Sequence, residues 1–213
     1  MTTDDLIARL TGELKPVSRL AVFWRVAIGL GVSLFVSSVL MYFWLGMRPD
    51  MMTAAGTMMF WTKFTYTLIL AVAGTWAVKR VAYPLGSIRV SLAVMAATIV
   101  VMIVLATAKL AMTPPDQHMA MMTGHTIAVC TRNIVLLSLP LLVGAFWVLR
   151  GLAPTRLTVA GAAAGLAAGA IASFVYSFHC DESAMPFIAV WYTLGILIPG
   201  LIGAIAGRFV LRW

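Results

Sequence analysis

Six apolar stretches, each long enough to cross a bilayer as a helix, constrain this chain more than any other feature: residues 26–47, 60–78, 90–108, 127–149, 157–178 and 187–206. A transmembrane helix needs about 20 apolar residues to cover roughly 30 Å of hydrocarbon. The runs are continuous rather than alternating, which excludes a β-barrel, because barrel strands face lipid and lumen in turn. The 213 residues are 62% hydrophobic and 10% charged, so a water-soluble fold is excluded as well. What lies between the runs is too short to enclose a core of its own. The expected fold is an all-α integral membrane protein, a six-transmembrane-helix bundle with a short cytoplasmic N-terminal amphipathic helix. Residues 1–25 form the tail, 26–206 the transmembrane domain and 207–213 the C-terminus.

Charge orients the bundle. The net charge is +8, yet the basic residues punctuate the spans instead of forming a nucleic-acid surface. Arg9, Lys15, Arg19, Arg25, Lys79, Arg80, Arg89, Arg150, Arg156, Arg208 and Arg212 fall on one side, against Arg48, Lys63, Lys109 and Arg132 on the other. The positive-inside rule puts both termini in the cytoplasm. Lys63 and Arg132 lie just inside the outer ends of their spans, where they are expected to snorkel. The expected location is a bacterial inner membrane crossed several times, with the lipid bilayer as one partner and no direct contact with nucleic acid. The acid residues Asp4, Asp5 and Glu13 precede the first span, so it reads as an anchor rather than a cleaved signal.

This topology gathers the soft side chains outside. Cys130, at the outer end of the fourth span, and Cys180, between the fifth and sixth, share the oxidising side with His118, His125 and His179. Three readings stand open for the thiols: a structural disulfide, a thiol–disulfide or soft-metal switch, and inert packing. The possible metal set is Cys130 and Cys180 with His179 or His125, since thiolate and imidazole suit zinc, cadmium and copper. Arg132, beside Asn133, is placed to pair with Asp116, Asp181 or Glu182. Gly161, Gly165 and Gly169 make consecutive GxxxG steps, a route to close helix packing or to a homodimer. Pro140 and Pro199 are expected to kink their spans.

The tail carries a separate signal. Leu6, Leu10 and Leu14 recur every four residues with Ile7 beside them, while Asp5, Arg9 and Glu13 alternate in sign on the other face. Pro16 stops the pattern. A helix this short needs its apolar face buried to be stable, and the acids on its polar face favour a protein groove over an anionic membrane surface. The span centres lack ionisable residues, which argues against transport of charged cargo. No phosphate loop, HExxH or serine–histidine–acid set is present, so neither enzymatic activity nor a cofactor is expected.

The stretches TDDLIARLTGELKPVSRL (3–20), VCTRNIVLLSLP (129–140) and FHCDESAMPFIAVWYTLG (178–195), together with six spans, resemble the NrsF family of membrane anti-sigma factors. That resemblance implies an inner-membrane regulator that holds an extracytoplasmic-function (ECF) sigma factor of the SigF type through its N-terminal segment. It also implies release through the two cysteines under oxidative or heavy-metal stress. On this reading sigma binding falls to Leu6, Ile7, Leu10 and Leu14, and sensing to Cys130 and Cys180. His125, His179, Arg132, Asp181 and Glu182 would be auxiliary contacts. The alternative is a membrane thiol-redox or metal-handling protein with no sigma partner.

Overall fold

A computed structural model describes residues 3–12, 19–83 and 86–212. The described residues are helical, with no strand among them. Helix α1 (Thr3–Gly12) is followed by α2 (Arg19–Leu40), which runs on through a π-helical turn, Met41–Leu45. A short α3 (Met51–Ala55) leads to α4 (Met58–Val81) and α5 (Arg89–Ala111). Then come α6 (Pro115–Thr123), α7 (Ile127–Arg150) and α8 (Leu157–Tyr176). The chain closes with α9 (Met185–Phe187), a π-helical turn (Ile188–Tyr192) and α10 (Thr193–Val210).

Five segments are long and apolar enough to cross a membrane: Val22–Leu45, Arg89–Ala111, Pro115–Arg150, Leu157–Tyr176 and Met185–Val210. The sixth expected span corresponds to α4, which has 24 residues but carries Lys63, Lys79 and Arg80. Its length suits a crossing; its composition sets it apart.

Helix α8 is the centre of the bundle, with 67% of its apolar stretch buried against 22% for α2 and α5. The cause is its sequence, LTVAGAAAGLAAGAIASFVY, in which small side chains let neighbouring backbones close in. Lipid tails are as apolar as leucine, so helices in a bilayer associate through such close packing. A Cβ added at Gly74 of α4 would lie 2.8 Å from Ala167 Cα. On the opposite side, Gly161, Gly165 and Gly169 meet Gly203, Pro199 and Ile196 of α10. The glycine stripe is therefore filled within the chain. This corrects the expected homodimer face, because a stripe already packed against backbone has no surface to offer a second copy.

Helix α2 lies along α7. The Arg25 guanidinium donates to Trp147 O at 2.9 Å and Val148 O at 3.3 Å, and stacks over the Trp147 ring at 4.5 Å. It thereby satisfies carbonyls at the negative end of the α7 dipole. Ser37 donates to Leu137 O at 3.0 Å higher up the same seam. Outward-facing Phe35, Val100 and Leu201 are exposed, as on a lipid-facing surface. In α1, Ile7 is exposed; the side chains of Leu6 and Leu10, and all of Leu14 and Pro16, lie outside what the structure describes.

Candidate functional site

The end of the bundle that the charge pattern assigns to the outside closes over a polar knot built around the 177–184 connection. Cys130 sits one turn into α7 and Cys180 in that connection; both are buried, as free thiols. The first turn of α7 fixes one sulfur, since Cys130 N donates to Thr126 O at 2.9 Å. The end of α8 fixes the other, since Cys180 N donates to Tyr176 O at 3.0 Å. The two side chains lie within interaction reach of each other. Residues separated by 50 positions are thus brought together at the end of the bundle that the charge pattern assigns to the outside.

Two cations and a histidine hold the connection in place. Lys63 is fully buried, and its ammonium donates to Cys180 O at 2.7 Å and to Glu182 O at 2.9 Å. Arg48 donates to Asp50 through Nε and Nη2, both at 2.7 Å, and reaches Cys180 O with Nη1 at 3.4 Å. Its own backbone N–H donates to Phe178 O at 3.2 Å. This bidentate pairing draws the Asp50 carboxyl below the usual carboxylate range. His179 Nδ1–H donates to Gly46 O at 2.9 Å, where the π-helical turn after α2 ends. The expectation that Lys63 snorkels is corrected: backbone carbonyls stripped of water at the bundle's rim are better partners for its ammonium than distant headgroups.

Two tyrosines and an asparagine line the pair. Tyr176 and Tyr192 are wholly buried, with ring centroids 6.0 Å apart. Their hydroxyls, like Asn133 Oδ1, find no partner of hydrogen-bond geometry among the described residues. The π-helical turn at Ile188–Tyr192 swings Tyr192 inward, in keeping with the frequent placing of such turns at functional sites. Nearby, the Tyr66 hydroxyl pairs with Thr193 Oγ1 at 2.7 Å. None of these aromatic positions stood out in the sequence, and Lys63 did so only as a snorkelling lysine. The available signal was weak: Lys63, Tyr66 and Thr67 share one helical face.

Of the auxiliary residues, Glu182 joins the knot by accepting the backbone N–H of His125, which ties the start of α7 to the connection. The His125 ring is on an exposed residue. Arg132 and Asp181 are exposed and form no ion pair among the described residues, where Arg48–Asp50 is the salt bridge found. The set Cys130, Cys180 and His179 does not assemble as a metal centre, and no group of three such ligands does among the described residues.

The Cys130 thiol beside it draws the Cys180 thiol below its ordinary value; Lys63 and the Glu182 backbone N–H act in the same direction, and burial opposes them. The thiolate is the nucleophile. Alkylation of Cys180 by a small permeant reagent is therefore expected to persist to lower pH than that of an ordinary thiol, which loses reactivity below about 8.5. Because the folded value is the depressed one, the associated stability is present above the unfolded value and is lost as pH falls through the folded one. A rate-against-pH profile of the purified protein checks this.

The chain matches the family model described as "Negative regulator of sigma F" over residues 10–213. It is 39% identical to the anti-sigma-F factor NrsF of Caulobacter vibrioides across the full length of both chains. It is 34% identical to the probable anti-sigma-F factor NrsF of Azospira oryzae, again over the full length of both. No solved structure matches it. A match that begins at residue 10 and continues to the last residue covers the whole bundle and the later part of the tail, and with two full-length relatives it settles the kinship: the chain belongs to the NrsF family.

Proposed function

We propose that this protein is a six-span inner-membrane anti-sigma factor, with α4 as the sixth crossing and both termini in the cytoplasm. Residues 1–25 hold an ECF sigma factor of the SigF type, with Leu6, Ile7, Leu10 and Leu14 as the apolar contact. Cys130 and Cys180, facing the periplasm, are the sensing pair. The observation that carries the reading is the nearness of two free thiols at one end of α7, whose other end is gripped by Arg25 just below the tail. At 1.5 Å per residue, the 24 residues of α7 link the two ends over about 36 Å.

The chemistry suits the task. A two-electron oxidant such as a peroxide converts the two thiols to a disulfide and is itself reduced to water. A soft metal ion would instead bind both sulfurs. Either event replaces the resting thiol pair by a shorter or longer sulfur geometry, and so shifts α7 against the 177–184 connection. The relatives' names, anti-sigma-F factor, support a regulatory rather than a catalytic role.

Co-purification of the full-length protein with sigma factors of this type tests the partner. Deletion of residues 2–14 is expected to abolish capture while leaving the bundle's thermal stability unchanged. Capture that survived the deletion would remove the tail from the interface. Absence of capture by the intact protein would favour the thiol-redox or metal-handling alternative.

A further inference from the structure

At the end of the bundle that the charge pattern assigns to the cytoplasm, the described residues between α4 and α5 and the 151–156 connection between α7 and α8 line a cavity of about 400 Å³. Arg89 and Arg156, far apart in sequence, both line it, together with the hydroxyl-bearing Tyr83, Ser87 and Thr155. Each arginine is exposed, and neither guanidinium has a hydrogen-bond or ion-pair partner among the described residues. Neither connection contains Asp or Glu, while Lys79, Arg80 and Arg150 flank them. A cleft lined by one sign of charge focuses its field, and two guanidinium forks match the planar geometry of carboxylates. The walls are helix ends and connections. The apolar groove between α2 and α7, by contrast, runs past mid-span residues such as Val32 and Pro140 and suits an acyl chain.

The tail places a partner beside this cavity. A Cβ at Gly151 would overlap the Arg25 guanidinium, so the entry of α2 into the bundle packs against the first residue of the 151–156 connection. Thr155, on the cavity wall, is four residues further on, within about 14 Å. We propose that the cavity is a second docking point for the sigma factor: Arg89 and Arg156 receive carboxylates from an acidic segment of the partner that the tail holds. The proposal rests on the reading of the protein as an anti-sigma factor. The tail gives apolar anchorage, and the cavity gives charge, which speeds encounter and fixes orientation. It adds affinity without sufficing alone, so capture still fails when residues 2–14 are deleted.

Sigma binding to the full-length protein in phosphatidylcholine nanodiscs, followed across a salt series, reads the docking. Arg89→Ala combined with Arg156→Ala is expected to weaken capture about tenfold and to flatten its salt dependence. The thermal midpoint should stay unchanged, because both side chains are exposed and unpaired. Lysine at both positions should keep the salt dependence and recover only part of the affinity, since an ammonium lacks the fork. Lys79→Ala with Arg80→Ala, outside the cavity lining, should change capture far less. Wild-type affinity and salt slope in the double alanine variant overturn the proposal. So does loss of the arginines' effect in discs containing phosphatidylglycerol, which would give the cavity to a lipid headgroup. A hexaglutamate peptide reads the cavity without the sigma factor: it should bind the wild type saturably, and bind the double alanine variant no longer. Stronger peptide binding after deletion of residues 2–14 would give the cavity to the tail's own acids and overturns the proposal as well. If the wild type takes up the peptide but no sigma factor, the anti-sigma reading is what falls, and the cavity keeps its acidic ligand.

Discussion

Replacing Gly165 by valine is expected to lower the stability of the bundle by about 3 kcal/mol, the upper end of what overpacking costs. For a chain of this size that is a fall of about 6–12 °C in thermal midpoint. A Cβ at Gly165 would overlap Pro199 O and stand 2.8 Å from Gly200 Cα. Both are backbone atoms, so no rotamer change relieves the contact. Gly161 faces Gly203 O in the same manner one turn away, and the seam has to open as a whole. In a bilayer nothing replaces what is lost, because lipid offers no hydrophobic penalty that would push the helices back together. Gly31 on α2 is the control: nothing lies within 4 Å of its added Cβ, so Gly31→Ala should leave the midpoint unchanged or raise it slightly through better helix propensity. Thermal unfolding of detergent-solubilised variants makes the comparison. A Gly165→Val protein as stable as the wild type would mean that α8 and α10 do not meet through these glycines.

The particular residues show what was legible before the structure. Bilayer thickness dictates element length, which is why apolar runs marked out α2, α5, α7, α8 and α10. GxxxG spacing announced a close approach of backbones, but spacing alone does not name the partner. A second copy and α10 satisfy it equally well, and the choice lies in how the chain folds back after residue 184. Charge asymmetry put Cys130 and Cys180 on one side, whereas their contact depends on the 177–184 connection folding over the bundle. Lys63 was misread for a related reason. A lysine three residues inside a span looks like a snorkelling lysine unless a loop covers it, and a covering loop leaves no mark in the lysine's own neighbourhood. Arg48 was counted as a loop charge and proved to be half of a pair that braces the same connection. Local patterns report what the solvent demands of a helix; they are silent on contacts made by segments distant in sequence.

Substitution of both cysteines by serine is expected to lock the sigma factor in its bound state. Each sulfur is buried within reach of the other, and serine preserves the size and the capacity for a hydrogen bond while removing two-electron chemistry and soft-metal affinity. Allosteric couplings commonly change affinity by about 5–150-fold. Peroxide or a soft metal ion should therefore weaken sigma capture by about that factor in the wild type, and not at all in the double variant. The single variants separate the chemistries. Cys130→Ser leaves Cys180 able to form a sulfenic acid but without a resolving thiol, so peroxide should no longer trigger release. Cys180→Ser removes the other half of the bond, and peroxide should again fail to trigger release. Measurement of capture by the four proteins, reduced and oxidised, distinguishes these outcomes. Release from Cys130→Ser at the wild-type level would mean that modification of one sulfur is enough, and that the push on α7 comes from crowding inside the polar knot rather than from a bond between the thiols. Undiminished release from the double variant would place the sensor elsewhere in the bundle and leave the cysteine pair a packing feature.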